Sequence, residues 1–292
     1  MRILLRAIAL AIFLFSPSAQ AEEQAYTIRL SRPTKVGDRF RLIANSRHAE
    51  RVAIFIGEVP VKTRIDDYNV ELNGTLTALE VARNGNVGKS ALVIEKLMFT
   101  SGGETKALFG SGTTAIVSDN GERRVYTIND MPADALAEKA LRAVLSGAIS
   151  SGPTDDEAFG TEDKKRVGDS WQVNRDLLVK SLYEKGKLSV DIADVQGLMT
   201  LQGVVKGGPR DYLVIGGSIN IERFTVPLPP EFKAQEGKIE INFSGRFPAA
   251  EERTRLSQSL QMTAWFSAVG PADSILRGFF EETRSIELQD PN

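Results

Sequence analysis

Along much of this chain apolar residues recur at every second position, and that period commits those stretches to strands with one face to bury. Tyr26, Ile28 and Leu30 share a parity within Ala25 to Leu30. Phe40 and Leu42 do the same after a Gly37-Asp38 turn, and so do Tyr68, Val70, Leu72 and Leu76, with Asn73-Gly74 inside the run as a predicted bulge. Further strands are predicted over Leu92 to Phe99, Thr113 to Val117, Arg124 to Ile128, Leu198 to Val205, Tyr212 to Phe224, Lys238 to Phe247 and Leu256 to Phe266. Asn84-Gly85 and Asn120-Gly121 are hairpin dipeptides, because Asn and Gly tolerate the positive φ of tight turns. Long antiparallel strands joined by short turns fit this pattern better than a parallel α/β sheet.

One segment breaks to helical spacing. Leu136, Ala140, Leu141, Val144 and Leu145 form an apolar stripe within 133–146. Asp130 is the predicted N-cap, Pro132 suits the first turn, and Gly147 suits the position past the end. Ser150 to Asp163 is small, polar and acidic, with Gly152-Pro153, and reads as a linker. A second, weaker helix is predicted over Arg175 to Tyr183, with Asn174 as its cap and Gly186 past its end, and another strand as the alternative. The expected fold is mainly β: antiparallel sheets from two halves, 22–130 and 163–292, separated by a helix and acidic linker at 131–162. Whether the halves share one sheet is left open.

The halves carry a repeated pattern. Lys35-Val36-Gly37-Asp38-Arg39-Phe40 matches Arg166-Val167-Gly168-Asp169-Ser170-Trp171, each followed by an aliphatic residue two positions on. Val70, Thr75, Leu76 and Phe99 match Val195, Thr200, Leu201 and Phe224 in order. The physical reading is structural: Gly37 and Gly168 take the turn, Asp38 and Asp169 bond to nearby backbone, and Phe40 and Trp171 open a strand by pointing into the core. The ordered matches favour an internal duplication. Val167-Gly168-Asp169-Ser170-Trp171, followed by the predicted short helix, Gly-rich hairpins and a final Gly-Lys-Ile-Glu-Ile hairpin from Gly237, resembles a type of exported β-rich protein of Gram-negative bacteria. That resemblance covers mainly the second half and implies an antiparallel fold without a known activity. A looser similarity, of architecture alone, is to the curved, incompletely closed sheets of periplasmic lipoprotein carriers and lipid-binding envelope proteins.

The N-terminus reads as a secretory signal peptide. Arg2 and Arg6 precede an apolar stretch from Ala7 to Phe15, too short to span a bilayer. Ser16-Pro17-Ser18 breaks it, and Ala19-Gln20-Ala21 is a small-x-small cleavage site, which makes Glu22 the expected mature start. The mature chain of 271 residues would carry a net charge of −4, mild and without a signature for nucleic acid. No later stretch reaches the length of a transmembrane helix, so the expected location is the periplasm, or the medium after release. The chain has no cysteine, which excludes disulfides, thiol catalysis and cysteinyl metal sites.

The catalytic inventory is thin. His48 is the only histidine; Ser46 and Glu50 share its strand face, but that spacing alone does not make a triad, and His48 is expected at the surface or a rim. Gly85-Asn86-Val87-Gly88-Lys89-Ser90 imitates a phosphate loop, but Arg83 stands where its first glycine belongs and a strand follows. Asp66-Asp67, Asp155-Asp156-Glu157, Glu251-Glu252 and Glu281-Glu282 read as solvated acids. Arg123-Arg124 and Lys164-Lys165-Arg166 are short and lack interleaved aromatics. Val226 to Pro230 reads as a rigid connector, and Phe279-Phe280 as core closure rather than the cap of a groove.

No catalytic, cofactor-binding or metal-binding residue is therefore assigned. The expected function is non-enzymatic: an envelope protein that binds an apolar ligand, such as a lipid, or a protein partner through a curved sheet. A periplasmic scaffold or assembly factor, docking through exposed strand edges, is the first alternative. A hydrolase that uses acids alone is the second.

Overall fold

The computed structural model describes residues 24–31, 34–119, 124–145, 153–207, 210–250 and 256–289. Thirteen strands form one antiparallel sheet. The first half contributes β1 (Arg39–Ile56), β2 (Val59–Val81), β3 (Val87–Ser101), β4 (Glu104–Ala107), β5 (Thr113–Asp119), β6 (Arg124–Ile128) and β7 (Met131–Pro132). The second contributes β8 (Ser170–Gln172), β9 (Val195–Gly207), β10 (Arg210–Ile221), β11 (Lys233–Pro248), β12 (Leu256–Val269) and β13 (Ser274–Gln289). The order is β7-β6-β5-β3-β2-β1-β13-β12-β11-β10-β9-β8, with β4 paired to β3 off that path. The halves thus share one sheet, joined by β1 against β13 from Arg41↔Gln289 to Ile56↔Ser274.

Three helices lie on the inner face: α1 (Ala135–Leu145), α2 (Asp155–Phe159) and α3 (Arg175–Gly186). Burying one face of the sheet under them produces two apolar clusters. The first gathers Leu42, Val70, Leu72, Leu92, Ile94, Leu97, Ala115, Val117 and Tyr126 under Leu141, Val144 and Leu145 of α1. The second gathers Met199, Leu201, Leu213, Ile215, Ile219, Ile239 and Phe247 with Trp171 and with Leu178 of α3. Fully burying a side chain of this size contributes about 1.5–3 kcal/mol, so these clusters supply the main cohesion of a chain without disulfides.

The bulge predicted at Asn73-Gly74 is present. Asn73 faces Lys96 and Gly74 faces Ile94, so Glu95 is the extra residue of β3. The parity of β3 flips there, which lets Ile94 and Leu97 both point inward. Position 74 must lack a side chain, because a Cβ there would lie 2.6 Å from the Val93 carbonyl oxygen.

The two repeated turns are built alike. Gly37 and Gly168 have φ of 88° and 93°. The Lys35 and Arg166 amides each donate to the following aspartate, Asp38 or Asp169, at 2.7 Å. Gly37 and Gly168 donate to the carbonyls of Ala78 and Leu201, and Asp38 and Asp169 accept from the amides of the same two residues. Leu76 stands opposite Phe40, and Met199 opposite Trp171. The sequence match that pairs Leu76 with Leu201 is therefore two positions off, a slip that leaves parity unchanged.

Several local expectations change. Ala25 to Leu30 is extended, but only Tyr26 bridges, to Lys165. Ile28 and Leu30 pack into the second cluster, although they precede the first half in sequence. Asp130 lies in a turn with φ of 67°, and Asp134 is the residue that accepts the Ala137 amide, at 2.8 Å, at the start of α1. Gly147 and the Asn120-Gly121 dipeptide lie outside the described residues. The predicted linker contains α2, closed by a capping box between Thr154 and Glu157. Asp156 then clamps the N-terminal segment, accepting from the Leu30 amide at 2.6 Å and the Ser31 amide at 3.2 Å. The second helix forms, with Asn174 accepting from Leu177 at 3.2 Å, and it includes Gly186 before ending at Lys187.

Candidate binding groove on the inner face

Between the two clusters the inner face changes character. On β1 it passes from Leu42 and Ala44 to Ser46, His48 and Glu50; on β13 it passes from Ile286 to Arg284, Glu282 and Phe280. The register sets Ser46 beside Arg284 and His48 beside Glu282. On the other side of β1, Val70 and Tyr68 of β2 face Ser46 and His48. On the far side of β13, Leu260 and Met262 of β12 face Arg284 and Glu282. Alternation carries these side chains to the face that holds both clusters.

Two cavities open here. One of about 530 Å³ lies between α1 and the floor of β1, β2 and β13; Ser46, His48, Tyr68, Lys139, Glu282 and Arg284 are among its walls. That volume is within the range of small-molecule sites. The other, of about 160 Å³, lies under α2 and the N-terminal segment; its walls are mainly apolar, among them Leu30, Phe159, Phe243 and Leu260, with Asp155, Gln258 and Arg284 as its polar members. Arg284 lines both.

Of the surface or rim position expected for His48, the structure gives the wall of the larger cavity rather than the open surface. The His48 side chain is 13% exposed, stacked on Tyr68 at 4.6 Å between centroids and edge-on to Phe280 at 5.0 Å. Its Nε2 is 3.9 Å from Glu50, beyond hydrogen-bond reach. Ser46 is 4% exposed, and its hydroxyl has no hydrogen-bond partner among the described residues. The Ser46-His48-Glu50 row thus shares a face, as the sequence implied, without the hydrogen-bonded relay that a triad requires.

The acids of the groove are each tied to a cation. Asp66 accepts from Lys139 at 2.7 Å, Glu50 lies 3.6 Å from Arg64, and Glu282 pairs with Arg284. Adjacent acids on a strand separate, as expected: Asp66 and Glu282 turn inward and Asp67 and Glu281 outward. Asp66, Asp156, Glu157 and Glu282 are structural partners here, not the solvated acids that their runs suggested, whereas Glu251-Glu252 lies outside the described residues. The Lys139 ammonium also sits 4.1 Å from the centre of the Tyr68 ring. Burial, reinforced by the Asp66 and Glu282 carboxylates, pushes the Tyr68 phenol up to about 12, with Arg284 opposing. Phe280 walls the groove beside His48, while Phe279 points outward, 45% exposed, so this pair does not close the core.

Among the described residues no group of three His, Asp or Glu side chains is placed to hold a metal ion, and no helix is long and apolar enough to cross a membrane. Gly85 to Ser90 runs from a turn into β3, as the strand reading required. The repeat residues Gly37, Asp38, Gly168 and Asp169 stay at their turns, and Trp171 donates to the Phe159 carbonyl at 2.7 Å behind the smaller cavity. Ala19, Ala21 and Glu22 lie outside the described residues.

No family model and no curated protein matches the chain. Among solved structures, a mutant of the Rh. blastica porin is similar at 8% identity and a TM-score of 0.21, covering 84% of this chain and 99% of that one. A loop-deletion mutant of an outer membrane protein of Vibrio cholerae is similar at 7% identity and a TM-score of 0.21, covering 83% and 99%. An outer membrane channel from Pseudomonas putida F1 reaches 5% identity and a TM-score of 0.17, covering 88% and 97%. At these TM-scores the likenesses carry no statement about fold, membrane insertion or function.

Proposed function

We propose that this protein is an exported, periplasmic, non-enzymatic envelope protein that holds an apolar ligand in the groove of its inner sheet face. The observation that carries this reading is the pair of cavities that share Arg284, one of them walled mainly by Leu, Ile, Met and Phe side chains. A sheet whose purpose was only stability would close its two clusters into one filled core. Charged groups already tied to partners suit a container better than an acid-base machine, which needs a group free to exchange a proton with its substrate.

Native mass spectrometry of the protein released gently from its own cells is the test. The expected result is a bound small molecule whose occupancy falls several-fold in Leu260→Gln, which places an amide in the apolar cavity. Repeated recovery of a folded protein without any adduct, which also takes up no alkyl chain in solution, contradicts the reading.

A further inference from the structure

Resting on that reading, we infer that the groove takes a particular class of ligand: a single-chain amphiphile with an oxyanion headgroup, whose chain lies in the smaller cavity and whose headgroup is held by Arg284 and Ser46.

Two side chains with unmet hydrogen-bonding atoms stand side by side on the larger cavity, and one of them, Arg284, also lines the smaller. The Arg284 guanidinium gives Nη2 to Glu282, while its Nε is buried and has no hydrogen-bond partner among the described residues. The Ser46 hydroxyl is buried and equally without one. They are cross-strand neighbours on β1 and β13. Leaving buried donors unpaired is unfavourable, so a site that does so in two adjacent side chains is prepared for an acceptor from outside the chain. Guanidinium and hydroxyl together present donors aimed at oxygen, and a guanidinium takes a carboxylate or phosphate through more than one N–H.

The position of Arg284 sets the shape of the ligand. Along β13, Ile286 belongs to the wall of the smaller cavity and Glu282 to that of the larger. Across the strand, Leu260 of β12 leads toward Phe243, Ile241 and Ile219. An oxygen seated on Arg284 is therefore attached to whatever extends along that apolar wall, and a chain of methylenes satisfies it without leaving polar atoms buried. Beyond the headgroup, Lys139, which is held by Asp66, and the Arg142–Glu138 pair line the wider cavity, so more polar parts of a larger headgroup would meet a balanced surface there.

The smaller cavity has the volume of one that holds a benzene, room for about six carbons. Calorimetric titration of the full mature protein with hexanoate, hexyl phosphate, hexanol and acetate therefore tests the assignment. The two anions should bind about tenfold more tightly than hexanol, the expected gain from a hydrogen bond to a charged group. Arg284→Lys keeps the charge beside Glu282 but loses Nε, and Ser46→Ala loses the hydroxyl. Each should erode the preference for the anions and leave hexanol unchanged. Ser46→Ala should melt no lower than the parent, because it removes an unmet hydroxyl; loss of headgroup affinity at undiminished stability separates a ligand contact from a structural one. A preference for either anion over hexanol supports the class and identifies the headgroup. Equal binding of hexanol and hexanoate, unaffected by both variants, overturns this inference and leaves the groove reading standing. Acetate binding as tightly as hexanoate overturns the amphiphile class. If none of the three chains binds, the groove reading falls, and this inference with it.

Discussion

Tyr68 shows how much of the groove's chemistry is set by burial. Its phenol stacks on His48 and Phe99, carries the Lys139 ammonium over its ring, and stands close to Asp66. Water is displaced from it and negative charge surrounds it, so the phenolate is disfavoured and the group is pushed up to about 12. In the unfolded chain it titrates near 10. Between those values the folded protein holds a proton that the unfolded chain releases, so stability is fully present below about pH 10 and is lost as pH rises toward about 12. The tyrosinate absorbance of the parent minus that of Tyr68→Phe isolates this group from the other four tyrosines, and it should show a late titration; one centred near 10 would mean an open, hydrated site.

At the scale of elements, the strands most visible in the sequence are those whose inner faces are uniformly apolar. Runs such as Lys238 to Phe247 and Leu256 to Phe266 alternate cleanly and appear as β11 and β12. The whole of β13, the lower part of β1 and the start of β2 left no such signal. There the inward positions are Ser46, His48, Glu50, Asp66, Glu282 and Arg284, and polar residues on both parities erase the period. The same substitution of polar for apolar that hid these strands makes the groove, so the site was concealed by the feature that defines it. The turns were legible because Gly-Asp has a local mechanism. The clamp between Asp156 and the Leu30–Ser31 amides was not, because it joins residues 126 and 125 positions apart. Asp156→Ala removes both bonds and should destabilise the protein by about 2–3 kcal/mol, with faster amide exchange at residues 26–31 while α1 keeps its protection. Unchanged exchange at 26–31 would show that packing of Ile28 and Leu30 holds the segment without the clamp.

Over the whole molecule, a single sheet passes from the first cluster, past the larger cavity, into the second cluster, whose own residues Leu30, Met199 and Ile219 wall the smaller one. Its covering elements come from distant places in the chain: α1 from the connection between the halves, α2 from the same connection, and residues 24–31 from ahead of β1. The two tryptophans mark the two sides of this wall. Trp171 is buried behind Phe159, next to the smaller cavity, and Trp265 is 42% exposed on the outer face. An apolar chain bound on the inner face approaches one and is screened from the other by the sheet. The most direct measurement is therefore fluorescence quenching by a hexanoate brominated at its methyl end, in Trp265→Phe and in Trp171→Phe. Strong, saturable quenching of Trp171 with Trp265 little changed is the predicted result. Quenching confined to Trp265, or equal for the two, would put the chain outside the groove and contradict the account.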